Sequence, residues 1–211
     1  AWADFHVGDT WGGYDVTAWF RTCVTIPPQW RGQKLALRFL VGPREDGGST
    51  AETMLYVEGA PLQAIDVWHD EAWLPPELVE RDELSIALKA WSGVLRVPDR
   101  RRFKLAQLVW IDEEAERFSA LAEVLHESAQ QLDPNDWRRV RLLDVLNRAF
   151  HQIDFTKPRS PLYYGSVARA RQALEARLAE LQQLEPDKPT VVGVGHSHLD
   201  LIWLWRLCHT R

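Results

Sequence analysis

Two histidines and an aspartate alternate near the end of the 211-residue chain, at His196, His198 and Asp200. In an extended segment successive side chains point to opposite faces, so these three side chains would share one face. Imidazole and carboxylate groups are the ligands that zinc and other borderline divalent metals take. The spacing therefore predicts a metal site. The plainer alternative is two buried histidines, with Asp200 capping a helix that begins at Leu201.

The element that would position these residues is the short apolar run TVVGVG at 190–195, which follows Pro189. Its composition is typical of a strand that is buried on both faces. In α/β folds the chemistry lies at the carboxyl ends of such strands. The sequence thus predicts that 189–211 is the start of an α/β, β/α-barrel-like catalytic domain, with 190–195 as its first strand.

The first 111 residues have a different pattern. Short runs rich in β-branched and aromatic residues alternate with clusters of Gly, Pro and Asp, which is typical of a β-sandwich. In 33–41, Leu35, Leu37 and Phe39 would face a core, and Ala36 would lie on the opposite face. The sequence predicts an antiparallel β-sandwich over 1–111, with strands at 15–26, 33–41, 83–91 and 103–111 and a hairpin over 52–66 that turns at 58–61.

After Asp112 the hydrophobic period changes from two residues to 3.6, which predicts a helical linker region over 112–188. Asp112 would cap the first helix, Asp133 followed by Pro134 would open the second, and Ser160 would open the third. The predicted apolar stripe of the second helix consists of Trp137, Val140, Leu143, Leu146, Phe150 and Ile153. The predicted fold class is therefore a multidomain α+β chain: sandwich, helical linker and the first strand of a barrel-like domain.

Charge and composition exclude several functions. The net charge of −5 argues against a nucleic-acid partner, and no apolar run reaches the length of a membrane span. The basic cluster of Arg100, Arg101, Arg102 and Lys104 is predicted to be a solvated turn between strands.

The cysteines and tryptophans carry two further expectations. The two cysteines, Cys23 and Cys208, lie far apart, which favours free thiols, a reducing compartment and a cytoplasmic location. The eleven tryptophans either pack in the interior or stack on sugar rings, and composition alone favours packing.

The run GHSHLDLIWLW at 195–205 resembles the opening motif of the catalytic domain in glycoside hydrolase family 38 α-mannosidases, G-H-x-H-x-D-x-x-W-L-W. Upstream, TAWFRTCVTIP and MLYVEGAPLQAID resemble segments of the N-terminal β-sandwich in the cytosolic-type branch of that family. The chain departs from the family pattern beyond the motif, at Arg206, where Pro is common, and at 208–210. The motif positions that match are Gly195, His196, His198, Asp200, Trp203, Leu204 and Trp205.

This resemblance assigns roles to four residues. His198 and Asp200 would be ligands of a divalent metal, zinc in the first place and cobalt as the alternative. Trp203 would bind substrate by lining the sugar subsite. His196 would not be a ligand itself and would support the ligands from the next layer of contacts.

The resemblance also implies an activity for the parent protein: a metal-dependent, retaining exo-α-mannosidase that hydrolyses terminal α-mannosyl residues of oligosaccharides. The nucleophile would lie downstream, so no catalytic residue falls within this N-terminal part, which is expected to be inert alone. The expected partner is an α-mannoside oligosaccharide, with no nucleic acid and no membrane, and a homo-oligomer stays open. Two alternatives are an amidohydrolase-type metalloenzyme and a non-catalytic carbohydrate-binding module.

Overall fold

The structure is a computed structural model that describes residues 2–42, 51–66, 68–94, 100–183, 190 and 192–195. It contains two compact units, one that ends at Ile111 and one that runs from Asp112 to Gly195. The described part of the first unit consists of strands with one short helix and one 3-10 turn, Pro28–Trp30. These elements are β1 (Thr10–Trp11), β2 (Thr17–Thr25), β3 (Leu35–Leu40), β4 (Glu52–Val57), β5 (Ala60–Ile65), β6 (Glu71–Trp73), α1 (Pro76–Val79), β7 (Glu83–Trp91), β8 (Arg101–Arg102) and β9 (Leu105–Trp110).

The strands form two sheets and a short pair. The larger sheet has the order β2-β7-β4-β5, the smaller one has the order β6-β3-β9, and β1 pairs with β8. Every pairing is antiparallel, which confirms the predicted sheet type. The sequence did not predict β1, β6, β8 or α1, since two to four residues are too few for a hydrophobic period to show.

The core of the first unit draws on both sheets. In β7, every second residue from Leu84 to Ala90 is buried, as its strict alternation requires. Leu55 of β4 and Leu37 of β3 belong to the same buried cluster. The two sheets therefore cover a common interior, as in a sandwich.

The outward face of strand β3 is buried in part, which corrects one expectation. Ala36, predicted to lie on the face opposite the core, is fully buried. It is the central residue of its sheet, paired with Trp73 on one side and Val109 on the other. A methyl group flanked by two large side chains is covered by them, although its position in the alternation faces outward.

The hairpin turn is tighter than the sequence suggested. Glu58 and Gly59 alone form it, with φ values of 53° and 79°, and Ala60 already belongs to β5. Positive φ at both central residues is the geometry of the type I′ hairpin. The Glu58 carboxylate accepts hydrogen bonds from the Ser85 backbone N–H at 2.6 Å and from Arg81 Nη1 at 2.8 Å. These bonds hold a non-glycine residue in the left-handed region.

The basic cluster after residue 99 is not a solvated turn. Arg101 is buried, and its Nε and Nη2 both donate to the Ser92 carbonyl, at 2.9 and 2.6 Å. A Cβ on Gly42 would lie 2.9 Å from the Arg101 Cδ, so the absent side chain makes room for this arginine. The guanidinium tolerates burial because the backbone accepts its hydrogen bonds.

The second unit consists of α2 (Glu113–Gln131), α3 (Trp137–Phe150) and α4 (Pro161–Gln183). Asp112 Oδ1 accepts from the Ala115 N–H at 2.8 Å, and Ser160 Oγ accepts from the Tyr163 N–H at 3.2 Å. Both predicted caps are confirmed. The three helices share a core. None of the described helices is both long and apolar enough to cross a membrane.

The start and the buried face of α3 differ from the prediction. Asp136 caps this helix, whereas Asp133 accepts from the Asn135 N–H in the turn before it. Trp137 and Val140 are exposed, while Leu146 is buried. Steps of three residues fall short of a helical turn by about 60° each, so Trp137 and Leu146 lie on opposite faces. The buried positions are Val145, Leu146 and Ala149, with Ile153 just after the helix.

The buried strand predicted at 190–195 is not formed in its described residues. Thr190 and residues 192–195 have no strand structure, and Val192 and Val194 are 77% and 81% exposed. A strand needs a hydrogen-bonded neighbour, and the described part of the chain supplies none to this segment. The rest of the barrel-like domain predicted for 189–211 lies outside the described residues.

Candidate functional site

The residues predicted to do chemistry lie outside the part of the chain that the structure describes. This applies to the predicted metal ligands His198 and Asp200, to His196 and to Trp203. Among the residues that are described, no three His, Cys, Asp or Glu side chains converge in a way that could hold a metal ion. The described structure thus offers no competing metal centre, and the metal assignment stays a prediction.

The described residues do form a groove, with a volume of about 620 Å³, along one edge of the larger sheet. Strand β2 lies at this edge, because its partner among the described strands is β7 alone. Residues 2–5 and Thr10 line the groove together with β2 residues and Arg100. The side chains important below are Trp2, Asp4, Phe5, Thr10, Trp19 and Arg100.

Strand geometry places Trp19 at the groove. Its neighbours Ala18 and Phe20 pack against the core, so the alternation of β2 turns Trp19 to the opposite face. There its ring lies 5.5 Å from the Tyr56 ring of β4, with an interplanar angle of 38°. The Lys89 Nζ of β7 lies 6.0 Å from the Trp19 ring centroid. The indole is held by these neighbours and is still 42% exposed.

Trp2 lies at the same groove. The Arg21 guanidinium, two positions along β2 from Trp19, lies 4.3 Å from the Trp2 ring centroid. A cation over an indole face is an attractive contact. Trp2 is nevertheless 62% exposed, so most of its surface is open to solvent.

A set of packed rings forms the base below these two indoles. Phe20 lies 4.8 Å from Phe5, 5.2 Å from Phe103 and 5.4 Å from Trp11, measured between ring centroids. Trp11 is buried, and its Nε1 donates to the Val41 carbonyl at 2.7 Å. Trp11 is therefore a packing residue, in contrast to Trp2 and Trp19.

Three polar residues belong to the groove lining beside the rings. Asp4 offers a carboxylate, Thr10 a hydroxyl and Arg100 a guanidinium. Arg100 Nη2 donates to the Thr10 backbone carbonyl at 2.6 Å, which positions the guanidinium at the groove. The lining combines exposed aromatic faces with hydrogen-bond donors and acceptors.

The number of tryptophans in the sequence did not predict this groove. One signal was present: in TAWFRTCVT, a tryptophan stands at a position whose neighbours on both sides face the core. Nothing in the sequence indicates that Trp2 lies beside the same strand, because that proximity arises from the fold.

Cys23, on the same strand, is not a candidate nucleophile. Desolvation raises the pKa of its thiol, and the hydrogen bond with Glu83 and the charges of Glu83 and Glu58 raise it further. The thiolate is the reactive form, so a thiol with a raised pKa is a weaker nucleophile at neutral pH.

Comparison with known proteins agrees with the resemblance seen in the motif. Residues 1–90 match the family described as alpha-mannosidase, jelly roll domain. The chain is 27% identical over 216 residues to human alpha-mannosidase 2C1, and 21% identical over 225 residues to the alpha-mannosidase of Saccharomyces cerevisiae. These alignments cover 95% and 97% of this chain and 19% of each relative. The chain thus spans about a fifth of the length of the curated relatives that it matches.

Among solved structures, the CBM51-2 and INT domains of Clostridium perfringens ZmpB align at 12% identity, over 76% of this chain and 34% of that chain. The TM-score is 0.22, which is too low to indicate a shared fold. The sequence comparisons are the informative ones. They confirm the predicted resemblance: this chain is similar to α-mannosidases over nearly its whole length, and its first 90 residues match their jelly-roll domain.

Proposed function

We propose that this chain is the N-terminal part of a metal-dependent, retaining exo-α-mannosidase that hydrolyses terminal α-mannosyl residues of oligosaccharides. The observation that supports the proposal best is the similarity to proteins named alpha-mannosidase over 95% of the chain. The motif at 195–205 adds to it, because it lies beyond the 90 residues that the jelly-roll family covers. A sandwich followed by helices, as observed, suits a part that supports a separate catalytic domain.

His198 and Asp200 would hold the metal, zinc in the first place and cobalt as the alternative. A bound divalent ion would act as a Lewis acid toward the sugar hydroxyls. Trp203 would bind the sugar through its indole face, and His196 would orient the ligands by hydrogen bonding.

The chain would supply about half of a zinc coordination sphere, since zinc takes about four ligands in proteins. The remaining ligands and the carboxylate nucleophile would come from the rest of the parent protein. We therefore propose that the 211-residue chain is inactive on its own. We further propose a reducing, cytoplasmic location, because the two cysteines, Cys23 and Cys208, lie far apart in the sequence and Cys23 is a free thiol.

The test is a hydrolysis assay of the full-length parent with aryl α-mannosides, beside amide and lactone substrates. We expect release of the aryl group from the α-mannoside only, with loss of activity on chelation and recovery with zinc or cobalt. The 211-residue chain is the matched negative control. Hydrolysis of the amide or lactone instead would favour the amidohydrolase alternative, and no hydrolysis of any substrate would overturn the proposal.

A further inference from the structure

We propose that the groove beside β2 is a binding site for a neutral oligosaccharide, with Trp2 and Trp19 as stacking platforms. This site is separate from the proposed metal centre at His198 and Asp200. Its assignment to α-mannosyl chains in particular rests on the proposed function. The existence of a sugar site does not, because it is argued from the groove itself.

The first argument is the exposure of two indoles in one groove. Trp2 is 62% and Trp19 42% exposed, although Trp11 shows that the same region of the fold can bury a tryptophan. Large aromatic surfaces that lie together and are exposed to solvent commonly mark binding sites. A pyranose ring presents a flat patch of C–H groups, which matches the face of an indole.

The second argument is the polar lining. A sugar carries hydroxyls around its rim, each able to donate and accept hydrogen bonds. Asp4 can only accept such bonds and Arg100 can only donate them, while Thr10 can do both. Within the lining the Asp4 carboxylate and the Arg100 guanidinium offset each other in charge, and the nearby Arg21 and Lys89 cations face the rings of Trp2 and Trp19. Apolar faces with a few placed polar groups are the usual composition of small-ligand sites.

The third argument is that the site is formed before any ligand binds. Tyr56 and Lys89 hold Trp19, Arg21 lies over Trp2, and Phe5 and Phe20 support the base. A platform whose rings are already placed loses little conformational freedom when a ligand arrives. The volume of about 620 Å³ lies within the usual range for ligand sites.

The test measures sugar binding by the 211-residue chain. Intrinsic tryptophan fluorescence is titrated with α-mannotriose, and migration is followed in native gels that contain yeast mannan or laminarin, a β-glucan. We expect mannan to retard the wild-type chain. Trp19→Ala and Trp2→Ala should each weaken binding about tenfold, and Trp19→Phe should keep part of it. Trp73→Ala is the matched control, because Trp73 is 53% exposed but belongs to the other sheet.

Each of the following outcomes supports or overturns the proposed sugar site. Unchanged binding in the Trp2→Ala, Trp19→Ala double variant, with unchanged circular dichroism, overturns the site, as does a wild-type chain that binds neither polysaccharide. Retardation by laminarin alone overturns the mannosyl assignment. Self-association that Trp19→Ala abolishes, seen by sedimentation without sugar binding, assigns the groove to a second copy instead. A parent without hydrolase activity beside a chain that binds mannan would refute the proposed function and leave this site standing.

Discussion

The rings of Trp19 and Tyr56 lie 5.5 Å apart although one whole strand separates their backbones. The residue of β7 that pairs with Tyr56 is Ala87, and its small side chain leaves the space in which the two rings approach. Neither strand, taken alone, accounts for a large aromatic side chain on its outer face. Together they form a supported aromatic surface on the outer face of the larger sheet.

The helical unit should depend strongly on Leu174. This α4 side chain is 1% exposed and lies in the shared core, so Leu174→Ala should lower the free energy of unfolding by about 2–5 kcal/mol. Leu162→Ala is the control, because it makes the same change in the same helix at a residue that is 67% exposed. Urea unfolding monitored by circular dichroism measures both, and equal losses would show that the core is misplaced.

Arg171 should contribute more to stability than other arginines of α4. Its Nε lies 2.5 Å from Glu114 Oε2 of α2, and its Nη1 lies 2.6 Å from Glu175 Oε2, with only 14% of the side chain exposed. We expect Arg171→Ala to cost about 1 kcal/mol or more in urea unfolding. Arg177→Ala, which removes an ion pair on the exposed surface, should cost less than about 1 kcal/mol. The reverse order would contradict the described contact between α2 and α4.

Asp136 should make the stability of the helical unit depend on pH. The Arg138 side chain first, and the Arg138 backbone N–H second, hold the pKa of this carboxyl below its usual value of 3.8. A carboxyl with a lowered pKa stabilises the folded state above the unfolded-state pKa, and this contribution is lost as the pH falls through the folded-state value. The difference in stability between wild type and Asp136→Asn should therefore be constant near neutral pH and shrink below about pH 3.8.

The Asn variant is the reference because it keeps a capping side chain that does not titrate. Direct NMR titration should give an Asp136 pKa below that of a free aspartate and a higher one in Arg138→Ala. An unshifted value in the wild type would remove the basis for this pH dependence.

In the full-length parent, His198 and Asp200 should determine metal content. Replacement of either by Ala should remove most of the bound metal and the activity, while His196→Ala should leave measurable metal. Loss of a supporting residue costs roughly 10–100-fold in affinity, which is less than loss of a ligand. Elemental analysis of the purified variants measures this directly. Equal metal in wild type and His198→Ala would remove the ligand assignment.

Much of the fold follows from short-range pattern. Strand β7 occupies 83–91 as predicted, because its alternation is strict and both its ends are polar or bounded by turns. The Asp112 cap likewise follows from the acidic turn that precedes an apolar stripe. Where the pattern was a loose spacing of three, as in α3, the predicted face was wrong, since which side of a helix is buried depends on its neighbours.

The groove and the buried Arg101 show why other features could not be predicted from the sequence. Arg101 stands in a basic run that looks solvated, and only the fold brings the Ser92 carbonyl to its guanidinium. Trp2 and Trp19 belong to separate segments that the fold brings to one edge. The predicted metal ligands are the opposite case, since a local motif predicts them and they lie outside the described residues.

The pairing of β2 with β7 also sets a condition on synthesis. Strand β2 forms near the start of the chain, but the register joins Thr17 to Trp91 and Thr25 to Glu83. Its apolar and aromatic residues therefore leave the ribosome long before their partner strand is made, and proteins grow at about 5–20 residues per second. For several seconds the nascent chain displays Trp19 and Phe20 without a sheet to hold them. During this interval chaperones can bind the exposed segment, and the sheet can close only once residues 83–91 have left the ribosome as well.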